Sequence, residues 1–409
     1  MNPSEQEQRS SPRLAVLGGA PAFAEARHVG RPNLGNRDRF LARLNDILDK
    51  RWLTNRGEYV TELEKRIAGL IGVRNCVLVC NGTIGLELLI MALGLRGEVI
   101  VPAFTFVATA HALQWHDITP VFADIDPATH CLDPASVESM ITPRTSGILG
   151  VHLWGRPCAV EELAQIAARH NLKLAFDAAH AFGCSHEGRM IGSFGAAEVF
   201  SFHATKIMNT FEGGAIVTND DRLAEQLRLM KNFGFDGHDR VLCAGTNGKM
   251  SEVCAAMGLT NLESLDELIE CNRRNYRSYG KQLAGIAGLR LMAYDERHRS
   301  NYHYLVVTVD DDAALSRDEL KEVLHAENVL ARHYFFPGVH RREPYRSNFP
   351  DAHLRLPRTE ELCRQVLVLP TGTSVSGEDI ARICEVIRIA LDNARPVRER
   401  LAELRTTVA

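Results

Sequence analysis

Three short stretches of the chain carry residue types that could do chemistry together. In Asn81-Gly82-Thr83, an amide side chain, a glycine and a hydroxyl stand between an apolar run and a helical pattern. The first turn of a helix presents unpaired N–H groups and a partial positive charge, which suits a phosphate. Ordinary helix capping uses the same residue types. Asp177 closes the apolar run Leu174-Ala175-Phe176, so its carboxylate stands at the end of a buried strand. Ligands of open α/β sheets bind at such ends. A carboxylate there can bind a metal, cap a helix or hold a cationic ring nitrogen. Phe200-Ser201-Phe202-His203-Ala204-Thr205-Lys206 then delivers a lysine from a further strand into the same region. A lysine after a strand is ordinarily solvated surface. A lysine of lowered pKa, however, reacts with carbonyls. Pyridoxal phosphate needs such a lysine, an acid beside its pyridinium and a cup for its phosphate. The three stretches converge on that one cofactor.

The elements that must position these residues follow from periodicity. Short apolar runs at Cys76–Cys80, Glu98–Val101, Pro120–Asp124, Gly147–Leu153, Leu172–Phe176 and Glu198–Phe202 read as strands. Helical patterns lie among them: Leu86, Leu89, Ile90 and Leu93 share one face, and Glu161 to His170 forms another helix. This alternation predicts an α/β domain with a mostly parallel sheet. Ahead of it, residues 1–30 read as a flexible N-terminal arm, and Asn36–Lys50 and Tyr59–Ile71 as helices. The texture changes after about residue 270. A charged helix (Asp266–Leu283), a strand (Tyr304–Val309), a helix (Ser316–Glu327), an aromatic loop (Tyr334–Tyr345) and a long amphipathic helix from Gly377 read as a smaller α+β domain. The expected division is therefore 1–30, 31–270 and 271–409.

Composition narrows the function classes. A chain of 409 residues with 45% hydrophobic and 24% charged residues can bury a large core. A net charge of −4 gives no general pull toward nucleic acid or membrane. No apolar run reaches the roughly 18 residues of a membrane span, and Met1 to Arg13 lacks the apolar core of a signal peptide. A cytoplasmic enzyme is expected. The ten cysteines are scattered and stand mostly in apolar company, as buried thiols do. Cys76 and Cys80 have no second close pair with which to complete a zinc site. Neither a basic stripe nor a helix-turn-helix pattern supports a DNA-binding regulator.

Read together, the stretches "WLTNRGEYVTELEKRIA", "NGTIGLELLIMALG", "EVIVPAFTFVATAHAL", "TPVFADID", "FDAAHAFG", "SFHATK…EGGAIVT" and "GTNGKMSEVCAAMGL" resemble the DegT-type sugar aminotransferases. These are pyridoxal-phosphate enzymes of fold type I, the aspartate-aminotransferase-like fold. The resemblance implies a large domain with a mostly parallel seven-stranded sheet and a smaller α+β C-terminal domain. It also implies roles by position. Lys206 looks like the covalent anchor of the cofactor and later the acid/base that moves a proton. Asp177 looks like the carboxylate that keeps the pyridine nitrogen protonated, and Phe106 the aromatic that stacks on the ring. Gly82, Thr83 and Ser201 match phosphate contacts. Asn247 matches an asparagine that reaches the neighbouring subunit's phosphate, which implies a homodimer with shared active sites.

Two positions depart from the family pattern. His180 stands where glutamine is commoner, near the cofactor's phenolic oxygen, where it can still donate a hydrogen bond. Lys249 replaces an arginine, exchanging a bidentate fork for a point charge. A dehydratase relative carries histidine at the anchoring position, so Lys206 argues against dehydration. Tyr334 and His340, with Trp52 to Gly57, correspond to segments on the substrate side. The implied reaction moves an amino group from L-glutamate to a nucleotide-linked keto-sugar, at C4 of dTDP-4-keto-6-deoxyglucose. The alternatives are a C3-specific sugar aminotransferase or, from another class, a regulatory or non-catalytic protein of the same fold.

Overall fold

Seven runs rich in β-branched and aliphatic residues pair into one sheet. In chain order they are β1 (Asn75–Val79), β2 (Glu98–Pro102), β3 (Thr119–Ala123), β4 (Thr145–Val151), β5 (Lys173–Asp177), β6 (Glu198–Ser201) and β7 (Gly214–Thr218). The computed structural model describes residues 13–408 other than His238. The strand order is β1-β7-β6-β5-β4-β2-β3. Every neighbouring pair is parallel except the two that β7 makes, with β1 and β6. The expected α/β class and mostly parallel seven-stranded sheet are borne out. The strands read as near-continuous apolar runs because helices cover both faces, as parallel sheets require. One buried layer runs through Leu63, Ile67, Leu78, Ile100 and Phe176, and the other through Val77, Leu89, Val101 and Ile216.

Parallel connections bring every parallel strand's C-terminal end to one rim, and the candidate chemistry lies there. β1 runs into α3 (Gly82–Ala92) through Asn81, whose Oδ1 accepts from the Ile84 N–H at 2.8 Å. β5 ends at Asp177 and β6 at Ser201. Helices α1 (Arg37–Lys50) and α2 (Glu58–Ile71) precede the sheet, each one residue shorter or longer at its start than expected. Asn36 caps α1 rather than belonging to it. A short helix, α4 (Ala108–Gln114), was not expected; its small apolar residues carry too few turns for a periodic pattern.

A second sheet forms from β8 (Leu289–Leu291), β9 (Leu305–Val309) and β10 (Val366–Leu369), all antiparallel. Helices Arg317–Ala326 and Gly377–Asp392 pack with it around Leu305, Val307, Leu320 and Ile383. The boundary expected at residue 270 falls inside one continuous helix, Leu265–Leu283. Its first half packs into the large-sheet core through Leu265 and Ile269, its second half into the small-sheet core through Tyr279 and Leu283.

Residues 13–28, expected in a flexible arm, are instead packed. Leu14, Val16 and Phe23 are buried in the small-sheet core, and Arg27–His28 pairs in parallel with Val329–Leu330. Glu327 fixes the segment by accepting from the N–H groups of Ala15 and Ala22, both at 2.6 Å. Residues 1–12 of the arm lie outside the described residues. Among the described residues no helix is long and apolar enough to cross a membrane.

Candidate active site

The sheet rim opens into a cavity of about 630 Å³ lined by elements of the large sheet and by segments flanking the small sheet's strands. Asp177 lies at its base, 6% exposed. Its Oδ2 accepts from the Thr109 hydroxyl at 2.8 Å and its Oδ1 from the Ala179 N–H at 3.0 Å. Burial raises its carboxyl above the ordinary range, against the pull of those two donors and of Lys206. A cation brought against it would reverse that balance.

Lys206 enters the same cavity from the turn after β6. Its Nζ donates to the Tyr304 hydroxyl at 3.1 Å. Burial pushes the amine down to about 8, with Asp177 acting in the opposite direction. An amine so placed is partly neutral near neutral pH, the condition for attack on a carbonyl.

Across the cavity, α3 presents its N-terminus. Gly82 favours a close approach there: a Cβ would stand 3.1 Å from the Ser201 Cβ, a tight contact. The absent side chain lets α3 lie against β6, so its first N–H groups, the Thr83 side chain and the Ser201 hydroxyl converge. That cradle has the donor chemistry of a phosphate site. His180 lines the cavity beside Lys206; its Nδ1 accepts from the Trp154 N–H at 3.3 Å, and burial holds it well below the ordinary imidazole range. With Nδ1 accepting, Nε2 carries the hydrogen and is a donor. Phe106 is 58% exposed over the cavity, 6.4 Å from the Phe335 ring. An anion cradle, a buried carboxylate, a reactive amine and an exposed aromatic face fit pyridoxal phosphate.

Of the residues expected on the substrate side, Tyr334 lines the cavity. His340 does not. It is 1% exposed, its Nε2 lies 2.5 Å from Glu360 Oε1, and its ring packs on Phe122. Its ring is taken up by Glu360 and by packing, so the correspondence with substrate-side segments does not bring it into the cavity. Asn247 is exposed and outside the cavity of its own chain, as is the stretch Trp52–Arg56. Lys249 is engaged by Asn232, whose Oδ1 accepts at 2.8 Å, and lies 4.8 Å from the Phe233 ring centre. Sequence reasoning missed Thr109, His303 and Tyr304, all of which bear on the site. Thr109 stands three residues after Phe106, on the face of α4 turned to Asp177, and that spacing was the available clue.

Comparison with known proteins places this architecture. The family model for DegT/DnrJ/EryC1/StrS aminotransferases matches residues 35–388. The chain belongs to that family. Its members are pyridoxal-phosphate enzymes, so the chain is an aminotransferase dependent on that cofactor, as the sequence resemblance implied. It is 39% identical over 360 residues to "dTDP-4-amino-4,6-dideoxy-D-glucose transaminase" of Shigella dysenteriae, covering 88% of this chain and 98% of the relative. It is 36% identical to "GDP-perosamine synthase" of Caulobacter vibrioides, covering 83% and 91%. Among solved structures, DesI in the presence of its TDP-sugar product superposes with a TM-score of 0.91 at 50% identity, over 95% of this chain and 99% of that one.

Proposed function

We propose that this aminotransferase moves an amino group from L-glutamate to C4 of a 4-keto-6-deoxyglucose carried on dTDP, in the cytoplasm. The observation that carries the catalytic part is the single cavity shared by Lys206, Asp177 and the N-terminus of α3. The names of the Shigella dysenteriae relative and of a second transaminase from Escherichia coli, 35% identical, support the sugar and the carbon. The likeness to DesI supports a thymidine nucleotide.

Bound pyridoxal phosphate supplies an electron sink that stabilises negative charge at the carbon bearing nitrogen. The chain's own residues do the rest. Gly82, Thr83 and Ser201 would hold the phosphate. Asp177 holds a proton at the ring nitrogen, because an anion beside a cation favours the charged form. Lys206 Nζ, poised near 8, takes a proton from one carbon and returns it to another. His180, with its Nε2 hydrogen, would donate to the ring's oxygen, and the exposed Phe106 would stack on the ring. Tyr334 and Phe335 add aromatic lining to the cavity, a surface suited to a sugar and a base.

We also read the working unit as a homodimer in which Asn247 serves the partner's phosphate; its exposure outside its own cavity supports that reading. Residues 31–270 would form the cofactor-binding body and 271–409 the smaller one.

The test is to load the enzyme with L-glutamate and offer dTDP-, GDP- and UDP-linked 4-keto and 3-keto sugars, identifying each product by NMR. Ping-pong kinetics and amination of dTDP-4-keto-6-deoxyglucose at C4 are expected. Faster reaction with a 3-keto isomer overturns the C4 assignment, and preference for the GDP sugar overturns the nucleotide.

A further inference from the structure

Lys206 has a neighbour that the cofactor does not account for. Tyr304 immediately precedes β9 of the small sheet and lines the same cavity as Lys206 and Asp177. Its hydroxyl lies 3.1 Å from Lys206 Nζ. The rest of the residue is fixed independently. The Tyr304 carbonyl accepts from the Tyr294 hydroxyl at 2.9 Å. Its ring packs against His180, with centres 4.3 Å apart, and against Trp154, 5.3 Å away. A tyrosine needing only to fill this space would not have to aim its oxygen at the reactive amine.

We propose that Tyr304 is a positioning residue for Lys206, its hydroxyl holding Nζ in place whether the amine is charged or neutral. The inference rests on the reading of Lys206 as the group that takes and returns a proton. A phenol is both donor and acceptor. Charged, the ammonium donates to the phenolic oxygen; neutral, the amine's lone pair accepts the phenolic hydrogen. A carboxylate would favour the ammonium strongly over the neutral amine, and a phenylalanine would serve neither. Burial pushes the Tyr304 hydroxyl well above its usual range, so it keeps its hydrogen through both states.

The other groups facing Lys206 do not substitute for it. Asp177, from β5, attracts the charged form. His180, from the loop after β5, is held neutral by burial. His303, next to Tyr304, is pushed down to about 4, and its Nε2 is engaged by the Thr205 carbonyl at 2.7 Å. Tyr334 and Glu212 share the cavity lining, and Tyr334 acts electrostatically on Tyr304.

The test is the pH profile of Lys206 in the full-length chain freed of cofactor. Competitive labelling with acetic anhydride, read by peptide mass, gives the fraction of neutral amine at residue 206. A hydrogen bond to a charged donor is stronger than one to a neutral partner. Tyr304→Phe therefore removes more support from the ammonium than from the amine, and the labelling midpoint should fall by about one pH unit. The ring that packs on His180 stays, so a packing role alone leaves the midpoint where it was. In the holoenzyme the same substitution should slow the half-reaction with the amino donor about tenfold, on the scale of that midpoint shift. A midpoint within about a third of a unit of wild type, or a half-reaction rate within about twofold, overturns the proposal. Should Tyr304→Phe fail to fold, 3-fluorotyrosine at residue 304 weakens the acceptor without removing it, and the midpoint must then fall by a smaller amount. The labelling needs no substrate, so it decides the role of Tyr304 even if L-glutamate proves not to be the donor.

Discussion

Asp177 illustrates how much of this site is settled by single donors. Its carboxylate has two partners in a buried place, and each can be removed separately. Asp177→Asn removes the anion that would hold a proton at the ring nitrogen, and each lost pKa unit of support is worth about 1.4 kcal/mol. We expect the L-glutamate half-reaction to slow by about a thousandfold or more; a variant keeping a tenth of the rate would exclude the pyridinium role. Thr109→Val is the subtler change. It leaves Oδ2 without its hydroxyl donor, raises the carboxyl further and should cost about tenfold in the same half-reaction, with cofactor still bound. Lys206 gives a pH test. Its folded pKa of about 8 lies below the ordinary lysine value of 10.5, so between those values the unfolded chain binds more protons than the folded one. Stability contributed by this group therefore rises with pH across that window. Melting cofactor-free wild type beside Lys206→Met should show wild type gaining on the variant from pH 8 to pH 10; a constant gap would mean that the amine is not depressed. Asp177 and Lys206 were legible because each ends or follows an apolar strand. Thr109 and Tyr304 meet them across 68 and 98 residues of chain, and no local pattern records such a pairing.

At the scale of elements, β1 is an edge strand of the large sheet, and an edge strand leaves one side of its backbone unpaired. Two side chains take the place of a neighbouring strand at Leu78. Its N–H donates to Glu64 Oε1 at 2.9 Å, and its carbonyl accepts from Lys231 Nζ at 2.9 Å. Lys231 and Glu64 pair with each other at 3.0 Å in a nearly dry setting. The strand so secured leads directly into Asn81 and the cradle at Gly82, and the Cys80 N–H is tied by the Gly248 carbonyl to the loop that carries Asn247. Lys231→Met should destabilise the fold by about 3–5 kcal/mol, because a buried carboxylate loses its counter-charge. The double substitution Glu64→Leu with Lys231→Met should recover part of that in chemical denaturation, leaving the Leu78 groups unpaired. If the single and double variants are equally unstable, the loss comes from packing or from the unpaired Leu78 groups rather than from charge. Most of the strands were legible to within a residue or two, since buried parallel strands announce themselves as apolar runs. The N-terminal arm was misread because Leu14, Val16 and Phe23 are too widely spaced to form a period, and their burial depends on a core built by residues near the other end of the chain.

For the whole molecule, the small sheet contributes chemistry as well as bulk. Tyr304, Tyr334 and Phe335 come from it or its loops, and the helix Leu265–Leu283 joins both cores without a break. Sequence texture marked a change near residue 270, inside that helix, but it could not reveal that the later part of the chain contributes to the cavity lining. The same limit applies to anything supplied from outside the chain. Asn247 points to no partner in its own cavity, although its motif resembles a phosphate contact. If it serves a second copy, damage to the two residues must complement between subunits. Lys206→Ala subunits lack the reactive amine but offer a sound Asn247, and Asn247→Ala subunits offer the reverse. A heterodimer of the two contains one site with both residues intact and one site with neither. Mixing the two weakly active proteins under conditions of proven subunit exchange should restore activity, up to about a quarter of wild type for random pairing of sites whose residues act as a unit. Recovery would assign Asn247 to the partner's site. Exchange without recovery would mean that Asn247 acts within its own chain, and the cavity would then have to be completed by a movement of the loop that carries it.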